Sequence, residues 1–327
     1  MSEIKKSILF CVPADFGLFE AFKKALEDLD YVVYGFPIED GNYTYKNVYS
    51  RLKSTFRKVI LGDKLYKNEL KLKERSVFLN KQLSTIHTVD FALFIRPDMY
   101  PLDFIDNVKK IAKQTVAYQW DSMERFPTVI NYLDLFDRFF VFDNIDVLRL
   151  PNTEITTNFY LPDNYVKESI HIKGAYLIGS CDANRINESI SLKNTLTKAG
   201  YTCDFTLKTS KEKETKFLQK NGINCIKNVI SYRDNLERVK KTGLIIDLHN
   251  PRQTGLSFRI FEALYYRKKL ITTNRNIQKY DFYNVNNIFI WTVDNEHLIT
   301  KIQKKEWEEI PVDIVKKYSI ENWIRCI

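Results

Sequence analysis

Short apolar runs, each closed by a polar turn, alternate along this chain with stretches whose apolar residues recur every three or four positions. "SILFCVPADFG" reads as a buried strand ending in a polar loop. "LFEAFKKALEDLD" follows with Leu18, Phe22 and Leu29 on one helical face, and "YVVYGFP" is the next strand. The same order returns in "DFALFIRPD" (90–98), a helix over 102–114, "TVAYQW" (115–120), a helix through "FPTVINYLDLF" and "RFFVFD" (138–143). Alternating strands and helices predict a parallel sheet wound by helices.

Periodicity fades over 150–174, where Asn, Thr and Pro mark a linker, and a second series then begins. "AYLIGS" (175–180) predicts a strand, and 183–200 a helix with Gly200 as its C-cap. "YTCDFTL", "NCIKNVI", the helix "SYRDNLERVKKT" and the strand "GLIIDLH" (243–249) come next. The stretch "RQTGLSFRIFEALYYRKKLITTN" (252–274) is a polar turn, a helix and a strand, followed by the turn "RNIQKYDFYNVNN", a strand "IFIWT" and helices in "EHLITKIQKK" and "VDIVKKYSIENWIRCI". Two α/β domains are expected, over 1–155 and 156–312. A last helix over 313–327, with Trp323 as its anchor, is expected to pack back on the first domain.

Length agrees, since 327 residues exceed one ordinary core and suit two domains of about 150 residues. With 44% hydrophobic and 28% charged residues the chain is globular rather than disordered or fibrous. No signal-peptide pattern and no long apolar run is present, which predicts a cytoplasmic protein. Five scattered cysteines without CxxC spacing support neither a zinc site nor a disulfide framework. A formal charge of +9 points to an anionic partner: nucleic acid, a phospholipid surface or a phosphorylated small molecule.

In an open parallel sheet, ligands lie beyond the carboxyl ends of strands, so the loops after strands are the places to search. In "GSCDANR", Gly179 and Ser180 allow close backbone approach to a helix start near Asp182, where a diphosphate could lie with Arg185 as counter-charge. An ordinary capped βα turn explains the loop equally well, and neither GxGxxG nor a Walker motif is present. "HNPRQTGLSFRIFEAL" is more specific. Thr254 or Ser257 can cap the helix, Gly255 permits close approach, and Arg259 and Glu262 share a face. Arg near a helix N-terminus is unfavourable without an anion, and an acceptor-only carboxylate suits the paired hydroxyls of a ribose. The plain alternative is a surface Arg–Glu pair.

The run "TGLSFRIFEALYYRKKLITTN", with "GSCDANR" before it and "YDFYNVNNI" after it, resembles the nucleotide-sugar half of GT-B glycosyltransferases found in bacterial capsule and lipopolysaccharide biosynthesis. The resemblance implies two Rossmann-like parallel-sheet domains facing across a cleft, donor in the second and acceptor in the first. It further implies a hexosyltransferase-type reaction from a nucleotide diphosphate sugar to a surface glycan acceptor (capsule, lipopolysaccharide or exopolysaccharide precursor, free or lipid-linked), with no cofactor. By position, Glu262 would hold the ribose, while Gly255, Leu256 and Arg259 would lie along the diphosphate and sugar. Ser180 and Arg185 would meet the diphosphate, and Asn274 would close the edge of the site. Where retaining relatives often carry the first Glu of Glu-x7-Glu, this chain has Thr254, which leaves the anomeric outcome open. Asp247, His249 and Gln253 stand near enough in sequence to substitute.

The only DxD, "DLD" at 28–30, ends a helix and reads as solvated, so no essential metal is expected. A catalytic base would come from the loop-end acids Asp15, Asp98, Asp121 and Asp143. Asp121 stands first because Trp120 offers a sugar platform and a desolvating neighbour. A sugar-nucleotide epimerase, a non-catalytic nucleotide-sugar-binding protein and a Rossmann oxidoreductase are the rivals. Residues 46–75 carry ten Lys and Arg interleaved with Leu52, Phe56, Ile60 and Leu61 at helical spacing. Two readings remain: a face lying on the anionic inner leaflet of the plasma membrane, or a helix whose apolar side packs on its own domain. No nucleic-acid-binding pattern accompanies the charge.

Overall fold

The computed structural model describes residues 5–14, 17–39, 44–45, 47–63, 66–163, 171–299 and 305–327. The chain divides into two compact units, residues 1–141 with 146–154, and residues 142–145 with 155–327.

In the first unit six strands lie in the order β2-β1-β3-β4-β5-β6: β1 Ser7–Pro13, β2 Val32–Ile38, β3 Phe91–Ile95, β4 Thr115–Gln119, β5 Arg138–Val141 and the short β6 Glu154–Ile155. The pairings among β1 to β5 are parallel. Ile8 to Val12 are all fully buried, as a parallel strand covered on both faces requires. The helices are α1 Leu18–Asp28, α2 Val48–Ile60, α3 Tyr66–Leu83 and α4 Leu102–Ile111, while α5 Asn144–Arg149 begins in the 142–145 segment of the second unit and ends in the first. α1 buries Phe22, Ala25 and Leu26. An aromatic core of Phe94, Tyr100, Phe104 and Phe136 fills the space beneath the sheet, and the buried Tyr100 hydroxyl donates to the Phe36 carbonyl at 2.6 Å.

Two segments differ from the sequence expectation. Pro127–Leu135 is a 3-10 helix rather than an α-helix, in keeping with Pro127 and the β-branched Thr128, Val129 and Ile130 at its start. The linker contributes β6, next to β5 in the sheet, where Glu154 receives both arms of the Arg138 guanidinium at 2.8 and 2.7 Å.

The second unit holds a fully parallel sheet, order β12-β11-β10-β7-β8-β9, from β7 His171–Ser180, β8 Thr202–Lys208, β9 Asn224–Ile226, β10 Thr242–Asp247, β11 Lys269–Thr272 and β12 Ile288–Ile290. Its helices are α6 Ala183–Lys198, α7 Glu212–Lys220, α8 Tyr232–Lys241, α9 Phe258–Tyr265, α10 Val312–Lys317 and α11 Ile320–Cys326. Gly200 follows α6 at φ +83°, the left-handed position that closes a helix. The C-terminal segment is two short helices, broken where Ser319 caps α11 by accepting from the Asn322 N–H. Trp323 of α11 packs on Phe159 with ring centroids 4.3 Å apart, both in this unit. Part of the "EHLITKIQKK" helix falls outside the described residues. No helix among the described residues is long and apolar enough to cross a membrane.

Candidate functional site

In the second sheet the chain leaves β7 towards β8 and β9 on one side, then crosses to β10 on the other. The switch point therefore lies between β7 and β10, where their carboxyl-end loops diverge and leave a crevice. Ser180 ends β7, and Arg185, His249, Gln253, Thr254, Gly255, Leu256 and Arg259 belong to these two loops or the helices they enter.

Asp247, the last residue of β10, is the hub. Its carboxylate is 1% exposed and accepts from Ser257 Oγ at 2.7 Å and Thr272 Oγ1 at 2.9 Å, with Arg259 Nη1 at 3.4 Å. Arg259 also donates to the Ile178 carbonyl at 2.5 Å, and Arg185 to the Ser180 and Leu248 carbonyls at 2.9 and 2.8 Å. Arg185 thus spans the two loops, packed so close to Gly179 that a Cβ there would lie 3.2 Å from its Nη1. Burial lowers the pKa of the Arg185 guanidinium and the charge of Arg259 adds to that, against the pull of Asp182 and Asp247. Two guanidiniums are held near one another with their hydrogen bonds going mainly to carbonyls, so both remain able to meet an anion.

The two helix starts differ. α6 is capped by Asp182, whose carboxylate accepts from the Arg185 N–H and is about half exposed, which places a negative charge where the sequence suggested a diphosphate. α9 has Ser257 at its N-cap position, but the hydroxyl goes to Asp247 instead of capping, and its first turn holds no acid. Among the described residues nothing accepts from the backbone N–H of Gly255, Leu256, Ser257 or Arg259. Free N–H groups at an uncapped helix start form an anion cradle.

Buried contacts fix that cradle. Thr254 donates through its backbone N–H to Asp143 Oδ2 at 2.8 Å and through its hydroxyl to Asp143 Oδ1, while Asp143 also accepts from the Ile145 N–H at 2.9 Å. Asn274, fully buried, donates to the Thr254 and Gly255 carbonyls at 3.3 and 3.1 Å, and Asn158 donates to the Leu256 carbonyl at 2.9 Å. Gly255 lies against Phe142 so tightly that a Cβ would come within 2.3 Å of the ring and 2.5 Å of the Phe142 carbonyl oxygen. Asp143, Asn274 and Leu256, at 1% exposure or less, shape the loop from behind.

Glu262 is 3% exposed and takes partners other than Arg259. Its Oε2 accepts from Asn235 Nδ2 at 3.3 Å, and Asn235 Oδ1 accepts from the Tyr176 hydroxyl at 3.0 Å. The buried Tyr232 hydroxyl lies near the same carboxylate without hydrogen-bond geometry and has no partner. Burial raises the Glu262 pKa, while Arg259 and the Asn235 hydrogen bond oppose the shift. A ligand hydroxyl between Glu262 and Tyr232 would satisfy both.

His249, half-buried, places Nδ1 2.9 Å from the Thr273 hydroxyl, which also accepts from the His249 backbone N–H at 2.9 Å. Burial lowers its pKa, with Arg185 in the same direction and Asp247 against. The neutral ring that takes the Thr273 proton on Nδ1 carries its own on Nε2, a donor.

In the first unit, Asp15 lies outside the described residues. Asp121 is held by Arg125 Nη1 at 2.9 Å, and Asp98 receives both arms of Arg96 at 2.8 Å each. Arg96 stands at φ +58° with its guanidinium 3.4 Å from the centre of the Phe126 ring, a strained backbone position for a bulky residue. At the end of the neighbouring β4, the fully buried carboxamide of Gln119 and the Ser122 hydroxyl have no hydrogen-bond partner. Sequence reading passed over Gln119 and Ser122, although both flank the loop in which it found Asp121. A cavity of about 480 Å³ in the second unit lies beside Asn276, Lys279 and Tyr280, and none of the expected donor residues lines it. Among the described residues no group of three or more His, Cys, Asp or Glu is placed to hold a metal ion.

Neither a protein-family model nor a curated protein matches the chain. Solved structures match along its whole length. An alpha-glucosyltransferase in complex with UDP and a 13-mer DNA containing a HMU base has a TM-score of 0.56 at 13% identity, covering 98% of each chain. A UDP-forming alpha,alpha-trehalose-phosphate synthase from Burkholderia xenovorans has a TM-score of 0.56 at 8% identity, covering 99% of this chain and 98% of its own. A protein assigned as a UDP-N-acetylglucosamine 2-epimerase from Listeria monocytogenes has a TM-score of 0.53 at 10% identity, covering 98% and 96%. At such identities the likeness is one of fold, and it agrees with the two Rossmann-like domains of the GT-B class. Both sugar transfer and epimerisation occur among these names, so the fold alone does not choose the reaction.

Proposed function

We propose that the protein is a glycosyltransferase that moves a hexose-type sugar from a nucleoside diphosphate sugar, bound by the second unit, to a glycan acceptor bound by the first. The observation that carries this reading is the run of unpartnered backbone N–H groups from Gly255 to Ser257, at a helix start with no acidic cap, beside Arg259 and Arg185. Such a cradle suits a diphosphate leaving group, whose developing charge it would stabilise without rearrangement. Glu262, with Tyr232 and Asn235, is the proposed ribose pocket, and His249 Nε2 and Gln253 are proposed contacts to the transferred sugar.

For the first unit, Asp121 is the proposed base, with Asp15 as the second candidate, and Gln119 and Ser122 are proposed to take acceptor hydroxyls. Reaction without metal or cofactor, a surface-glycan acceptor such as a capsule or lipopolysaccharide precursor, and work at the inner face of the plasma membrane complete the proposal. The acceptor class rests on the sequence resemblance, the absence of metal on the reading of Asp28–Asp30 as a solvated helix end, and the membrane site on the basic amphipathic segment 46–75. The second reading is an epimerase, the activity named for the Listeria protein of the same fold.

A thermal-shift panel of UDP-, GDP-, CMP- and dTDP-sugars tests the donor site. One donor should raise the melting temperature of the wild type, and Arg259→Ala and Glu262→Ala should abolish most of that rise. An unchanged response in both variants would sink the assignment. Incubating the stabilising sugar nucleotide alone separates the two reactions, since interconversion without acceptor identifies the epimerase.

A further inference from the structure

Helix α2 turns its apolar side outward. Val48, Tyr49, Leu52, Phe56, Val59 and Ile60 are each between 57% and 73% exposed. At about 100° per residue they fall within one arc of about 120°. Its one buried residue, Ser54 at 7%, lies on the opposite side, with its hydroxyl 2.8 Å from that of Tyr45. The helix therefore rests on its unit by a polar face, the reverse of a helix that helps close a core. Of the two readings open for this segment from sequence, packing of the apolar side on its own domain does not occur along α2.

Charge narrows the occupant. α2 carries Arg51, Lys53, Arg57 and Lys58 and no acid. By helical position Lys53 borders the apolar arc on one side and Arg51 on the other. Arg57 and Lys53 are steadied over the Tyr66 ring at 4.3 and 5.7 Å, and Arg57 bonds Asp63 as well. A second copy of the helix would set four cations against four. Nucleic acid would leave the apolar arc in water, because phosphates use only its borders. An apolar arc that sinks among acyl chains while cations on its rim meet anionic headgroups satisfies both halves of the helix.

We propose that α2 is a docking surface for an anionic lipid bilayer. The proposal stands on this helix and not on the reading of the donor site.

Vesicle flotation of the full chain tests it. Wild-type protein should float with phosphatidylglycerol-containing vesicles and not with pure phosphatidylcholine, and added salt should weaken binding. Leu52→Glu with Phe56→Glu should weaken binding roughly tenfold or more. Arg51→Glu with Lys58→Glu should lose the preference for anionic lipid, and Phe217→Glu, at an exposed apolar site in α7, should bind as wild type. All five substitutions in the three variants lie at exposed positions, and an unchanged melting temperature confirms that each variant folds. No flotation, equal binding to neutral vesicles, or undiminished binding by the Leu52/Phe56 variant would overturn the proposal. So would a dimer, or duplex DNA binding, that the same variant abolishes.

Discussion

Removing the Asp143 carboxylate should detach the Thr254–Ser257 loop, because among the described residues no other side chain holds Thr254 through both its backbone N–H and its hydroxyl. Asp143→Ala leaves three donors without their acceptor: the Thr254 N–H, the Thr254 hydroxyl and the Ile145 N–H. Each unsatisfied buried donor costs about 1–3 kcal/mol, and partial entry of water makes the sum smaller than three such losses, so about 2–5 kcal/mol is expected. For a unit of this size that lowers the melting temperature by roughly 5–15 °C. Thr254→Val removes only the hydroxyl bond and should cost about 1 kcal/mol. The double variant should fall short of the sum by about 0.5–1.5 kcal/mol, since both changes remove the same contact. Calorimetry on the four proteins gives the cycle. An Asp143→Ala protein that melts with the wild type, or a strictly additive double variant, would refute the anchoring role.

Glu262→Gln should keep or raise stability at neutral pH while weakening nucleotide binding about tenfold, read by a melt and by titration calorimetry. The sign follows from a carboxyl pKa raised by burial. Ionisation is harder in the folded state, so stability is greatest below the unfolded value and declines as pH rises towards the folded one, and Gln removes that decline. His249 should titrate by NMR below the ordinary histidine value of about 6.5. Its depressed pKa means stability present above that value and lost as pH falls through the folded pKa, a loss His249→Gln should abolish.

The sheets were legible because a parallel strand buried on both faces reads as an unbroken apolar run, as in Ile8–Val12 and Leu244–Ile246. The helix start at Ser257 was legible from its polar turn. Its partners were not. Spacing put Arg259 and Glu262 on one face, but the strand-end carboxylate of Asp247 lies closer to Arg259, and only strand order brings the loops after β7 and β10 together. Asp143 and Thr254 are 111 residues apart, beyond the reach of any periodicity. α2 shows the same limit: helical spacing disclosed its apolar arc, while the direction of that arc depends on the Ser54–Tyr45 contact beneath it.

The central claim is that the α9 start, with Arg259 and Arg185, holds a diphosphate. Titration calorimetry of the nucleoside diphosphate and monophosphate of the preferred base, on wild type and on Arg259→Ala, tests it most directly. The wild type should bind the diphosphate about 10- to 100-fold more tightly, as one or two charge-assisted hydrogen bonds supply, and the variant should lose most of that preference while keeping its monophosphate affinity. Equal losses for both ligands, or a preference that survives the substitution, would contradict it.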